Sequence, residues 1–365
     1  MNTVITILND AVETSMPYNE FVLYRARHFK DERQVLIICN EKKKLPENEG
    51  YEAVSFYYTG KSLRRLRKTI KQVTGDCIRK GDRFVIHLHQ VHSGVLTHFA
   101  IIGLGLRKKT MFTVHNTFPG YPFHNKVRSL FCSFHSHYIT CVSNTAYDGY
   151  PSLIKQIKKD RMVPVQNGVD TMRIDSLLNG VRYSEDQNTV HFVYVARMAP
   201  VKNHIFLLGV IKKIETKSVK FSFIGSPNME IVNKIEEMDL SDKIDVIGLI
   251  PRKEVFTRLS QADYYISPSV LEGLPVSVLE GLYCGLPALL SDIPQHKEII
   301  GDSNISKVLP LEEDLWAKEI DEMASFTKEK VKEWGSCCKQ YVQEHFSLER
   351  MHKDYSNIYN KLFEL

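Results

Sequence analysis

Short apolar runs alternate with longer amphipathic stretches along almost the whole chain. In the first half, Thr3–Leu8, Val35–Cys39, Ala53–Tyr57, Phe84–His89, Met111–His115, Tyr138–Val142 and Met162–Gln166 read as strands. Helical periodicity fills the gaps, as over Phe21–Phe29 and Ser62–Val73. The segment 167–188 is polar with little periodicity and reads as a link. The alternation then restarts, with strands predicted at Phe192–Ala196, Phe221–Ile224, Asp245–Ile247, Tyr264–Ser267 and Ala288–Ser291. From Asp314 to Leu365 the pattern is helical, with Ser347 as an N-cap. Repeated strand–helix alternation predicts α/β architecture with parallel sheets covered on both faces. Ligands of such sheets bind beyond the C-terminal strand ends. Two such halves, facing each other, would enclose a cleft.

The length of 365 residues suits two domains. The sequence has no run of 18 apolar residues, and neither a membrane span nor a secretory signal is expected. Seven cysteines without metal-type spacing fit a reducing, cytoplasmic compartment. The net charge of +5 divides unevenly, +12 over residues 1–166 and −7 over 167–365. Only the first half is therefore suited to approach something anionic.

The most informative stretch is Glu272-Gly273-Leu274-Pro275-Val276-Ser277-Val278-Leu279-Glu280. It joins a predicted strand to a predicted helix, with Pro275 read as the first helical position and Gly285 as the C-terminal cap. A helix N-terminus entered through glycine attracts phosphate through its amides and dipole. The two carboxylates are spaced to grip hydroxyl groups of the same ligand. A second cluster, Arg197 and Lys202, leaves the first strand of the second half, where two cations can neutralise a diphosphate. His115 and Asn116 end a strand of the first half, and His87 and His89 share one face of another. No Asp or Glu sits nearby to make the histidines a metal site. On the basic helix over Lys61–Lys71, Leu63, Leu66, Ile70 and Val73 form an apolar stripe. Its cations Arg64, Arg65, Arg67, Lys68 and Lys71 make either a solvated face or a patch for an anionic membrane. Nucleic acid is disfavoured, because no aromatic residues interleave with these charges. The sequence contains no Gly-x-Gly-x-x-Gly after the first strand, no Asp-x-Asp, and no complete phosphate-binding loop ending in Gly-Lys-Ser/Thr, of which Gly60-Lys61-Ser62 echoes only the end.

On these motifs, together with Gly285-Leu286-Pro287, Ser291-Asp292-Ile293-Pro294, Val165 to Asp170 and the closing Phe346 to Met351, the chain resembles glycosyltransferase family 4. That resemblance implies the GT-B fold. It would have two facing Rossmann-like domains, an interdomain cleft and a C-terminal helix crossing back to the first domain. The boundaries expected are 1–166 for an acceptor domain, 167–188 for the linker, 189–345 for a donor domain and 346–365 for the returning helix. The resemblance also implies retaining transfer from a nucleotide-sugar. The acceptor expected is a glycan or lipid-linked glycan at the inner face of a membrane, and without Asp-x-Asp no metal or other cofactor is expected. Arg197 and Lys202 would hold the diphosphate, Glu280 the ribose, and Glu272 and His115 the sugar. The amides of Gly273, Leu274 and Pro275 would contact sugar and phosphate, and Ile250 and Pro251 would border the base. Many family members have a glycine-rich loop after the first strand; here Thr14 to Glu20 replaces it. Ser15 and Asn19, with His89 and Asn116, are then the acceptor-side candidates. Two other readings remain: a two-domain sugar-binding protein without catalysis, and a nucleotide-sugar epimerase on the same fold.

Overall fold

The computed structural model describes residues 1–10, 16–40, 51–179 and 188–365. The chain divides into two units, residues 1–167 with 348–365, and residues 168–347.

The first unit begins β1 (Asn2–Leu8), α1 (Met16–His28), β2 (Glu32–Ile38), β3 (Val54–Tyr58) and α2 (Leu63–Lys80). It continues β4 (Arg83–Leu88), α3 (Val91–Ala100), β5 (Thr110–Val114), α4 (Phe123–His135) and β6 (Tyr138–Cys141). Two short helices, α5 (Asn144–Asp148) and α6 (Ser152–Lys158), precede β7 (Met162–Pro164). The strands form one sheet, ordered β3-β2-β1-β4-β5-β6-β7, and all the pairings are parallel. A parallel sheet is buried on both faces, so its strands are apolar nearly throughout. Val4, Ile5, Ile7 and Leu8 of β1 are all fully buried. One core lies under α2 and the helices that follow it, where Leu66, Ile70, Val73 and Cys77 are sealed from solvent. Leu63, read as part of that stripe, is exposed because it sits in the first turn, ahead of the packed face.

The second unit contains α7 (Thr171–Leu178), β8 (Val190–Val195), α8 (His204–Lys213), β9 (Val219–Ile224), α9 (Met229–Glu237) and β10 (Ile244–Gly248). It continues α10 (Arg252–Ser260), β11 (Tyr264–Ser267), α11 (Val276–Tyr283), β12 (Ala288–Ser291) and α12 (Pro294–Ile300). It ends with β13 (Ser306–Leu309), α13 (Glu313–Ala324) and α14 (Lys328–His345). Its sheet order, β10-β9-β8-β11-β12-β13, is again parallel. The rings of Phe192, Phe221 and Tyr264 stack across neighbouring strands.

The closing helix α15 (Leu348–Phe363) belongs to the first unit and completes the second of its cores, with α1. Arg25 fastens it. The guanidinium is fully buried, donates to both Glu32 carboxylate oxygens at 2.6–3.0 Å, and lies over the rings of Phe29 and Tyr359.

The segment 167–188, expected to be a link, carries the helix α7 within its described part. Asp170 caps it by accepting from the Arg173 amide at 3.1 Å, and Ile174 is its one buried side chain. Ile174, Leu177 and Leu178 fall at helical spacing, but eight residues are too few for that pattern to stand out in a polar segment. Residues 180–187 of that segment lie outside the described residues. The edge strand β13 also escaped the apolar pattern, because all its residues are only half buried.

Candidate active site

Each sheet reverses its strand order once, between β1 and β4 and between β8 and β11. Loops leaving adjacent strands at such a point diverge and open a crevice. In the second unit these loops carry the two charged clusters.

The loop after β8 is built tightly. Gly225 runs so close that a Cβ there would stand 2.3 Å from the Ala196 carbonyl oxygen, at φ +146°. The Met198 amide donates to the Ser226 carbonyl at 2.9 Å and buries the Met198 side chain beneath the loop. Arg197 next to it faces solvent. Pro200–Lys202 make one 3-10 turn, and Asn203, left-handed at φ +56°, starts α8. Tyr194 holds the turn by donating to the Lys202 carbonyl at 2.8 Å. The Val270 amide donates to the Val201 carbonyl at 2.9 Å, stitching the loop after β11 onto this turn. The two loops thus bring Lys202 Nζ to 2.5 Å from Glu272 Oε1, with both side chains largely shielded.

Helix α11 starts one residue later than expected, with Pro275 as N-cap. No side chain caps its first turn. Its C-terminus closes as a Schellman motif: the Leu286 amide reaches the Gly281 carbonyl and the Gly285 amide the Leu282 carbonyl. Gly285, at φ +84°, is the left-handed residue just past the cap. Gly281 lets the helix lie against Tyr265, whose ring would sit 2.4 Å from an added Cβ. Close seating on the sheet fixes where the α11 N-terminus and Gly273-Leu274-Pro275, all buried, stand beside Lys202 and Glu272.

Glu280 is buried on the same helix and forms a two-pronged pair with Arg252. Arg252 Nη1 donates to Oε2 at 3.1 Å, and Nη2 contacts Oε1. Arg252 opens α10 immediately after Ile250 and Pro251, with Pro251 as its N-cap. Motif reading missed this residue, whose only sequence signal was its place beside the expected base-binding loop. Both Glu280 oxygens keep lone pairs for further donors, so the arginine orients the carboxylate without saturating it. Because the pair is buried, Arg252→Gln would strand a carboxylate. We expect a loss of about 3–5 kcal/mol in stability, read as a lower urea midpoint. An unchanged midpoint would show that the pair does not anchor α11.

His296 of α12 was also missed. It is fully buried, with Nδ1 3.0 Å from the Ser291 carbonyl oxygen. Burial lowers its pKa to about 4, against the attraction of Glu272, so the ring is neutral.

In the first unit, His89 Nδ1 stands 3.2 Å from His115 Nε2, at the ends of β4 and β5. Burial takes His115 down to about 3, and His89 well below the usual range. Asn116 beside them is exposed. His87, 2.6 Å from the Tyr359 hydroxyl and 2.7 Å from Thr113 Oγ1, uses both ring nitrogens inside the core. Among the described residues no cluster of His, Cys, Asp and Glu is arranged for a metal ion. Ser15 lies outside the described residues, and Asn19 falls in α1 with its side chain undescribed. Asn9, whose amide donates to Gln90 Oε1 at 2.6 Å, lies at the first unit's strand reversal.

Of the basic-patch residues, Arg64, Arg65, Lys68 and Lys71 are exposed. Arg67 is not part of that patch. Its Nη1 donates to the Ala100 and Ile102 carbonyls at 2.7 and 2.8 Å, closing the end of α3.

Two family models match: "Glycosyltransferase Family 4" over residues 19–173 and "Glycosyl transferases group 1" over residues 181–335. A capsular polysaccharide biosynthesis glycosyltransferase, CapH of Staphylococcus aureus, is 28% identical over 214 residues, covering 56% of this chain and 57% of that protein. The UDP-Gal:alpha-D-GlcNAc-diphosphoundecaprenol alpha-1,3-galactosyltransferase of Escherichia coli is 25% identical over 257 residues, covering 64% and 62%. The matched stretch thus spans less than two thirds of either relative. The crystal structure of Anabaena Alr3699/HepE in complex with UDP and glucose superposes with a TM-score of 0.76 at 12% identity, over 98% of this chain and 99% of that one. At that identity the likeness shows the shared GT-B fold. With one family model falling on each unit and the fold in agreement, the chain belongs to the group 1, family 4 type of glycosyltransferase.

Proposed function

We propose that this chain transfers a sugar, with retention of anomeric configuration and without a metal ion, from a nucleotide-sugar to a hydroxyl of a glycan or lipid-linked glycan. The pathway proposed is surface polysaccharide or glycolipid synthesis. The observation that carries this reading is the 2.5 Å approach of Lys202 to Glu272 at the strand reversal of the second unit, beside the uncapped start of α11. A cation, a carboxylate and a helix N-terminus at one point match a sugar diphosphate, with phosphates on the positive groups and hydroxyls on the carboxylate.

In this reading Lys202 and the exposed Arg197 neutralise the charge that develops on the leaving diphosphate, the role a divalent cation would otherwise fill. The acceptor hydroxyl attacks from the face the diphosphate leaves. As the new C–O bond forms and the sugar–phosphate bond breaks, the hydroxyl proton passes to a phosphate oxygen of the donor. Glu272 positions the sugar. Glu280, held by Arg252, accepts from the ribose hydroxyls, and Ile250 and Pro251 border the base. In the first unit, neutral His115 can both donate to and accept from a sugar hydroxyl, and His89 and Asn116 lie on the acceptor side. The name of the Escherichia coli relative specifies an α-1,3 product, and UDP-galactose is itself the α anomer, which favours retention. UDP and glucose in the HepE complex favour a nucleotide-sugar donor. CapH and the diphosphoundecaprenol acceptor favour a glycan built on lipid. No helix among the described residues is long and apolar enough to cross a membrane. The +12 charge of residues 1–166 supports work at the inner face of one as a peripheral protein.

A thermal-shift panel of nucleotides and nucleotide-sugars, followed by incubation with the best labelled donor, tests the proposal. A donor at a hundred times its Kd should stabilise the protein by about 2.7 kcal/mol. Slow release of sugar to water supports the transferase. An isomerised nucleotide-sugar would make it an epimerase, and tight binding without turnover a sugar-binding protein.

A further inference from the structure

Three neighbouring strands of the second unit, β8, β11 and β12, each place a hydroxyl at or next to their C-terminal end: Tyr194, Ser267 and Ser291. Ser269 follows β11 by two residues. These four side chains and His296 of α12 are sealed in the interior, none more than 1% exposed.

Their hydrogen bonds run in one direction. The Tyr194 hydroxyl donates to the Lys202 carbonyl at 2.8 Å, so toward Ser269 Oγ, 3.1 Å away, it can only accept. The Ser269 hydroxyl proton is thereby committed, and Ser267 Oγ, at 3.2 Å, donates to Ser269. The Ser269 carbonyl accepts from Ser291 Oγ at 2.5 Å. Ser291 Oγ then has no proton left for His296 Nδ1, 3.1 Å away. The Ser291 carbonyl, 3.0 Å from the same nitrogen, can only accept. Nδ1 therefore carries the ring proton, which fixes the tautomer of His296. The relay crosses the sheet from α12 to the turn that bears Lys202, with Ser269 as its junction.

Buried hydroxyls lower stability unless every one is paired, and apolar side chains would hold these strands as well. What the relay adds is orientation. A fully satisfied buried network rigidifies its members and specifies one arrangement. That arrangement places the Lys202 carbonyl. The single 3-10 turn of Pro200–Lys202 is too short to absorb a shift of that carbonyl without moving the ammonium, 2.5 Å from Glu272 Oε1. We propose that α12 sets the position of the Lys202 ammonium through this relay. His296, Ser291, Ser269 and Tyr194 are positioning residues: closed off from solvent, they act through the turn and not on the donor. The inference deepens the assignment of Lys202 to the leaving diphosphate and rests on it.

A double-mutant cycle tests it, read as kcat and KM for hydrolysis of the labelled nucleotide-sugar that stabilises wild type most in the thermal-shift panel. Tyr194→Phe and Ser269→Ala should each lower kcat about tenfold, with KM within about twofold of wild type. His296→Leu should do the same. His296→Asn, whose amide nitrogen can stand in for Nδ1, should recover most of that rate. If Tyr194→Phe fails to fold, Ser269→Ala, which keeps every backbone partner, carries the comparison. In Lys202→Ala protein the same substitutions should lower kcat by less than about twofold, because the group they position is gone. Equal losses in both backgrounds would mean that the relay only holds the unit together, and would overturn the inference with the role of Lys202 intact. A lower urea midpoint with unchanged kcat would overturn it in the same way. Wild-type turnover in Lys202→Ala protein, or no turnover by wild type, would remove the assignment itself and the inference with it.

Discussion

Lys202→Ala is expected to lower kcat by about 10²–10³-fold, roughly 2.7–4 kcal/mol of transition-state stabilisation, while KM for the donor moves much less. The asymmetry follows from when the charge appears. In the ground state the linking oxygen is tied up in the sugar–phosphate bond; in the transition state that bond breaks ahead of proton transfer, and additional negative charge develops on the leaving group. Lys202 is well placed to meet it, because the turn carrying its ammonium is fixed by Tyr194 and by the Val270 amide. Preorganised charge costs no rearrangement at the moment of reaction. The alanine variant also leaves Glu272 without its ion-pair partner, so a modest drop in Tm accompanies the kinetic loss. Single-turnover rates on protein of verified fold separate the two effects. Wild-type turnover in a folded Lys202→Ala protein would remove Lys202 from the chemistry.

Acidification should unfold the first unit before the second. Burial drives the pKa of His87, His89 and His352 well below the ordinary value of 6.5, and takes His98 and His115 down to about 3. All five lie in the first unit. The sign follows from the neutral form being the one that folds. Above pH 6.5 neither state binds the protons, and the full stability is present. As pH falls below 6.5 the unfolded chain takes up protons that the fold refuses, and stability drops by up to about 1.4 kcal/mol per pH unit for each such histidine. The second unit has buried histidines of this kind in His204 and His296, each held near 4. Both tryptophans, Trp316 and Trp334, lie in the second unit. Tryptophan fluorescence therefore follows that unit, while far-ultraviolet circular dichroism follows both. Urea titrations at about pH 7.5 and about pH 5.5, on either side of the ordinary histidine pKa, should show a dichroism transition at low pH that precedes the fluorescence transition. Coincident transitions with the same midpoint at both pH values would contradict this.

What sequence reading found was what local pattern carries. β1, β11 and β12 are buried on both faces and show as largely apolar runs, interrupted only by threonine and serine after the first residue of β1. The loop from Glu272 to Pro275 was legible because glycine, proline and paired carboxylates leave few roles for a strand-to-helix turn. What it missed depends on contacts between distant residues. Arg252 and Glu280 are 28 positions apart and meet only because the fold sets the first residue of α10 against the middle of α11. Arg67 resembled its neighbours on α2 until the end of α3 placed two carbonyls beside it. The partly polar inner side of α4, where Ser129 and Ser133 are buried beside Cys132, was hidden for the opposite reason. Its Phe and Val spacing looks like an ordinary core stripe, and only the packing shows the serines facing inward to Tyr150.

A crystal structure of the protein with a nucleotide-sugar bound would show directly whether Lys202 and the start of α11 hold the donor diphosphate. The diphosphate is expected between Lys202, Arg197 and the α11 amides, the ribose on the Glu280 carboxylate, and the sugar at Glu272. Clear density for the nucleotide elsewhere, with the Lys202–Glu272 pair still closed at 2.5 Å, would contradict it.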